Sequence, residues 1–220
     1  ASDGAARALA HALGFRRLLP YVKALGCVVD PYKFCQQYRT SKIIRSMYDF
    51  KTREKMEKHV KFLVNQCKSM GVIPVGVNDG WAVDGMTSTD ETLQMILNHY
   101  GEVVDPVIRP TVFAMTREVL AKSWSEANIY ETNCIDFDDQ KWLTVCKRPN
   151  GHPLTSPVYD VVIIDEAQDV NSVDIELIRM VLKPNGIVIG VGDGNQAIYG
   201  FRGADTKALQ KFGEFFNAKT

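Results

Sequence analysis

Nowhere in its 220 residues does the chain contain Gly-Lys-Ser or Gly-Lys-Thr. A loop that cradles triphosphate oxygens with a lysine and a hydroxyl is therefore not part of it. There is no C-x-x-C pair either: five cysteines stand at positions 27, 35, 67, 134 and 146, an odd number without metal-ligand spacing. That argues against a disulfide framework and a zinc site and points to reduced thiols. No apolar run approaches membrane-spanning length, so no membrane partner is expected. Ala5 to Leu19 mixes Ala and Leu with Arg7, Arg16 and Arg17, and so lacks the uninterrupted apolar core of a signal peptide. Net charge is absent as well, with 26 basic and 26 acidic residues. Whole-chain electrostatics thus carry no argument for a polyanionic partner. The expected setting is intracellular: cytoplasm or nucleoid, or the nucleus of a eukaryote.

What is present is unevenly distributed. From Arg39 to Lys68 there are nine Lys/Arg against three acids. This permits a basic face, although such runs are commonly solvated helix surface. Ala5 to Leu19 reads as a helix stopped near Pro20. Lys51 to Met70 is the clearest amphipathic helix, with Met56, Val60, Leu63, Val64, Cys67 and Met70 at helical spacing and Gly71 as its stop. Thr89 to Tyr100 and Arg109 to Ala127 read as further helices, and no strong strand signal precedes residue 130. Lys147 to Pro157 reads as a loop. Val158 to Ile164 is apolar on both faces and β-branched, the pattern of a strand covered on both sides. Asn171 to Leu182 reads as a capped helix ending before Pro184-Asn185-Gly186, and Ile187 to Val191 as a second buried strand. Strand, helix and strand make one β-α-β unit of an α/β fold.

In an open parallel sheet, ligands sit beyond the carboxyl ends of the strands. Asp165 and Glu166 stand there. An Asp in that place can hold Mg²⁺ beside bound phosphates, while its neighbouring Glu points at the water that attacks the terminal phosphorus. A bare Asp-Glu pair more often caps a helix or ends a strand in solvent. Gln168 and Asp169, directly after so apolar a strand, favour the chemical reading.

The second strand leads into Gly192-Asp193-Gly194-Asn195-Gln196-Ala197-Ile198-Tyr199-Gly200-Phe201-Arg202-Gly203-Ala204. Gly190-x-Gly192-x-Gly194 does not complete a dinucleotide fingerprint, because Asn195 occupies the third glycine position and no acid ends a following strand at the right distance. Gln196 suits a neutral contact to a terminal phosphate. Tyr199 and Phe201 offer flat faces to unstacked bases, each contact worth about 1–3 kcal/mol, or else core aromatics. Arg202 can pair with phosphate or with an acid. Together the two segments suggest metal-assisted triphosphate hydrolysis linked to nucleic-acid handling.

Asp165-Glu166-Ala167-Gln168-Asp169 after an apolar strand, followed by the Gly192–Ala204 string, resembles the second and third motifs of superfamily 1 DNA helicases of the UvrD/Rep/PcrA type. Ile135-Asp136-Phe137-Asp138-Asp139 resembles an acidic segment that this family carries shortly before its D-E-x-Q-D. His11-Ala12-Leu13-Gly14-Phe15 resembles the family's T-x-H-x-L-G segment, with Leu9 in the threonine position. The resemblance implies a partial RecA-like parallel sheet of the P-loop triphosphatase type with a large, mostly helical insertion. Residues 1–19 would be the N-terminal helix of the RecA-like part, 20–130 the insertion, and 131–220 the second half of the first RecA-like domain.

Position by position, the resemblance implies Asp165 as Mg²⁺ partner, Glu166 as the residue activating water and Gln196 as γ-phosphate sensor. Gln168, Asp169 and Arg202 would couple the nucleotide site to DNA, Phe201 would stack on a base of single-stranded DNA with Tyr199 lying beside it, and His11 would be a DNA contact. ATP and Mg²⁺ are the implied cofactors, neither expected to bind tightly without the phosphate loop. Single-stranded DNA or a single/double-strand junction is the implied partner, with the remaining helicase domains. The chain is expected to be a central slice of a helicase, inactive alone as an ATPase. The alternative is a non-catalytic module that binds nucleic acid or protein.

Overall fold

The structure, a computed structural model, describes residues 28–29, 48–125, 134–147, 157–193 and 208–217. Helix α1, Phe50–Met70, starts where the Asp49 carboxylate accepts the Thr52 N–H at 3.1 Å. It buries Met56, Val60, Leu63, Val64 and Cys67, the stripe that its sequence spacing predicts. It ends at Gly71, whose left-handed backbone (φ 75°) lets its N–H reach the carbonyls of Cys67 and Lys68. A β-carbon on Gly71 would also meet Val83 Cγ2 at 2.2 Å, so two independent constraints select glycine there. Helices α2 (Asp90–His99, capped by Thr89) and α3 (Arg109–Trp124) follow, with Leu93, Ile96 and Leu97 of α2 buried. Helices α2 and α3 lie within the ranges expected from sequence, and α1 begins one residue before its expected start at Lys51.

Three features add to or depart from the sequence reading. Strand β1, Val28–Val29, pairs in parallel with β2, Cys134–Ile135, so a strand does occur before residue 130. Two residues are too few to produce a periodic signal. Helix α4, Phe137–Cys146, has no counterpart in the sequence reading. Asp136 and Asp139 form a reciprocal capping box at its start, and every residue from Asp139 to Cys146 is buried. A helix buried on all sides shows no polar face and hence no amphipathic pattern.

The third feature, a departure, concerns the β-α-β unit. Strand β3, Tyr159–Ile164, pairs in parallel with β4, Leu182–Gly190, across helix α5, Ser172–Val181. Tyr159 opposes Leu182, but Val161 already opposes Ile187, so Lys183 to Gly186 bulge out of the ladder. Pro184-Asn185-Gly186 therefore interrupts β4 instead of preceding it. Both faces of the sheet were expected to be covered. Instead Val161, Ile163, Ile187 and Ile189 are 49%, 68%, 59% and 45% exposed. Val162 packs with Ile175, Ile178, Val181 and Phe212 on the other face, the last from helix α6, Ala208–Phe215.

Helix α5 joins two apolar cores. Val173, Leu177 and Met180 enter the larger core with α1, α2, α3 and α4, while Ile175, Ile178 and Val181 enter the core beneath the sheet. The larger core therefore draws on residues from both sides of position 130. Polar groups reinforce it. Lys68 of α1 lies 2.8 Å from both Asp136 and Asp139. Burial and the adjacent Asp136 push the Asp139 carboxyl upward, with Lys68 opposing. Lys141 pairs with Asp174 at 3.0 Å, linking α4 to α5. Trp142 donates its indole N–H to the Val72 carbonyl and stands edge-on to Trp124, with ring centres 5.1 Å apart. Cys67 and Cys146 are buried and in no disulfide, and burial drives the Cys67 pKa upward and suppresses its reactivity. Among the described residues, no helix is long and apolar enough to cross a membrane.

Candidate functional site at the carboxyl ends of β3 and β4

Asp165 and Glu166 follow directly on Ile164, the last residue of β3. The ladder continues just past them: Val191 N–H donates to the Ile164 carbonyl, and Ala167 N–H donates to the Val191 carbonyl, both at 2.8 Å. The two acids are thus held beside the carboxyl end of β4. Glu166 sits in left-handed backbone (φ 56°, ψ 46°), an unfavourable place for a residue with a long side chain. Its N–H donates to Asp165 Oδ1 at 3.0 Å, and its carbonyl accepts from Asp169 N–H at 2.9 Å. Residues Ala167–Asp169 then form a single 3₁₀ turn.

Asp165 is exposed and Glu166 half-buried, so these carboxylates face an accessible edge and not a dry interior. Gln168 is 2% exposed. Its Nε2 donates to Glu166 Oε2 at 2.6 Å, and its Oε1 accepts from Asp193 N–H at 3.0 Å. Gly192 lies against this bridge: a β-carbon there would meet Gln168 Oε1 at 2.3 Å and Ala167 N at 2.9 Å. Gly190 is equally constrained, since a β-carbon would meet the Phe212 ring at 2.5 Å. Close packing accounts for these two glycines, in keeping with the rejected dinucleotide reading. The contribution of Gly192 and Asp193 was not read from the sequence, where the detectable signal is a glycine closely following an apolar strand and preceding an acid.

The structure brings together Asp165, Glu166 and Gln168, with Asp169 at the end of the same turn. His11, Gln196, Tyr199, Phe201 and Arg202 lie outside the described residues. Among the described residues, no group of three or more His, Cys, Asp or Glu could hold a metal ion. Magnesium often binds through only one or two carboxylates, with water and phosphate oxygens completing its shell. The exposed Asp165 carboxylate fits that limited role.

A second surface lies on α1. Lys51, Lys55, Lys58 and Lys61 are exposed, and no side-chain ion pair or hydrogen bond engages them among the described residues. At about 1.5 Å of rise per residue they extend along roughly 15 Å of helix.

The family model of the UvrD/REP helicase N-terminal domain matches residues 9–217. The chain is 41% identical over 59 residues to DNA helicase II of Haemophilus influenzae, covering 27% of this chain and 8% of that protein. It is 32% identical over 84 residues to ATP-dependent DNA helicase Rep of Buchnera aphidicola, covering 37% and 13%. Against the probable DNA helicase II homolog of Mycoplasma genitalium it is 34% identical over 95 residues, covering 42% and 14%. The chain thus spans a small fraction of each of these relatives.

Proposed function

The chain belongs to the UvrD/REP helicase N-terminal domain family, and from that premise we propose that it forms part of an ATP-dependent DNA helicase or translocase. The observation that carries this reading is the placement of Asp165 and Glu166 at accessible strand ends, with Glu166 held by Gln168. Asp165 would hold Mg²⁺, which when bound neutralises charge on the phosphate oxygens. Glu166 accepts a proton from the attacking water and orients it. Gln196 contacts the terminal phosphate. Asp169 and Arg202 couple the nucleotide site to the DNA path, as does Gln168. Phe201 and Tyr199 stack on bases of single-stranded DNA or of a single/double-strand junction, and His11 contacts the same strand.

On this reading the parallel β3–β4 pair belongs to a RecA-like sheet. Residues 20–130 are its helical insertion, 131–220 its second half and 1–19 its N-terminal helix. The working protein is intracellular and pairs this chain with the remaining helicase domains. By itself the chain turns over ATP negligibly, because no lysine-bearing loop presents the phosphates.

The test compares two polypeptides. The 220-residue chain should show background ATP turnover with or without single-stranded DNA. A polypeptide that joins it to a lysine-bearing phosphate loop and the partner domains should show DNA-stimulated turnover. There Glu166→Gln should lower kcat by about 10²–10⁴-fold, the usual worth of a general base. Full turnover in Glu166→Gln refutes the assignment.

A second reading has one observation in its favour, the exposed lysines of α1. As a non-catalytic module, the chain would bind single strands through phosphate contacts alone. Binding that is indifferent to Asp165→Asn and to ATP in the joined polypeptide favours that module.

A further inference from the structure

Glu166 is held at its backbone by neighbouring groups, yet its carboxylate receives a bond from a residue that also grips the next strand. The Gln168 amide donates to Glu166 Oε2 at 2.6 Å and accepts from Asp193 N–H at 3.0 Å. The direction of the amide follows from its partners: a backbone N–H must meet the oxygen, and a carboxylate must meet the NH₂. Of the side chains of this length, only an amide both donates and accepts. Glutamate would meet Asp193 but repel Glu166, and leucine would bond to neither.

We propose that Gln168 is a positioning residue, a clasp through which the turn leaving β4 sets the direction of the Glu166 carboxylate. Three observations converge on it. Gln168 is buried, so neither of its bonds competes freely with water. Gly192 leaves room for the approach only because it lacks a β-carbon, which would stand 2.3 Å from Gln168 Oε1. Glu166 occupies left-handed backbone, a conformation that persists where the surroundings over-determine it. A shift of Gly192 and Asp193 therefore pulls Gln168, and Gln168 turns Glu166. The catalytic consequence rests on the triphosphatase reading above; the clasp itself does not.

The test uses the 220-residue chain without nucleotide. It measures hydrogen exchange at the Asp193 amide, the carboxylate ¹³C resonance of Glu166, and the melting temperature. In Gln168→Leu the Asp193 amide should exchange at least about fivefold faster, the loss of one ordinary hydrogen bond, and the Glu166 resonance should move. Gln168→Glu separates the two ends: Asp193 stays protected while the Glu166 resonance moves. Gly192→Ala should release both. A merely structural Gln168 would lower the melting temperature and leave the Glu166 resonance in place, which overturns the proposal.

Should Gln168→Leu fail to fold, the side-chain NH₂ protons of Gln168 decide the matter. They should exchange slowly in the native chain and at least about fivefold faster in Glu166→Ala; equal rates overturn the clasp. Full ATP turnover in Glu166→Gln of the joined polypeptide, with these signatures intact, would refute the triphosphatase reading alone.

Discussion

Lys68 Nζ lies 2.8 Å from Asp139 Oδ1, and neither side chain reaches solvent to any useful extent. The same ammonium lies 2.8 Å from Asp136, so one buried cation serves two carboxylates where α1 meets the start of α4. Removing one partner of a buried pair leaves uncompensated charge, at a cost of about 3–5 kcal/mol. Protonation of Asp139 relieves part of this. Lys68→Met should therefore destabilise the chain by about 3 kcal/mol, the lower end of that range. Urea unfolding measures it, and a cost near zero would show that the pair does not join the helices.

The same cluster sets a pH dependence. Burial, then the neighbouring Asp136, pushes the Asp139 carboxyl up to about 8 from its ordinary 3.8, against the pull of Lys68. The folded state therefore holds this proton more tightly than the unfolded state. Stability from this group is fully present below pH about 4 and is lost as pH rises through about 8. In Asp139→Asn that decline should flatten, so the variant gains on the native chain between pH 5 and pH 8. Urea midpoints at several pH values test the sign.

Gly71 ends α1 in left-handed backbone with Val83 pressed against its α-carbon. Alanine would suffer both the backbone penalty and the clash. Gly71→Ala should cost about 2 kcal/mol or more, whereas alanine at Gly76, which has the same backbone hand but open space, should cost only the backbone part. Paired thermal melts separate the two.

The exposed lysines of α1 offer a test of the proposed DNA contact. Replacing Lys51, Lys55, Lys58 and Lys61 with Ala should weaken single-strand binding at low salt. For every phosphate no longer neutralised, the salt slope should fall by about 0.7. Fluorescence anisotropy against salt concentration measures both, and an unchanged slope would show that this face is only solvated surface.

Sequence legibility followed physical periodicity. Helices α1 and α2 pair an apolar stripe with a polar face and a capping residue, and Met56 and Leu93 lie buried as that pattern demands; α5, buried between two cores, was legible from its Asn171 cap and the Val173, Leu177, Ile178 and Val181 stripe. Helix α4 was invisible because Lys141, Trp142 and Thr144 are all buried, Lys141 through its pair with Asp174. The two-residue β1 carries no pattern at all. The apolar character of Val161, Ile163, Ile187 and Ile189 announced a doubly covered sheet, but whether a face is covered depends on neighbours that strand composition does not encode. At the site, the acids were legible because four β-branched residues lead into them. The clasp was not, because it depends on Gly192 lacking a β-carbon, and a glycine's absence of volume acquires meaning only once its neighbours are placed.

The most direct test of the central claim uses Mn²⁺ in place of Mg²⁺, with ATP, and follows paramagnetic broadening of backbone amide signals. Binding need not be tight for this measurement. Asp165, Glu166 and Gln196 should broaden together, and Asp165→Asn should abolish the effect at all three. Broadening centred elsewhere, or confined to Asp165 and Glu166 while Gln196 stays sharp, would contradict a shared site for metal and triphosphate.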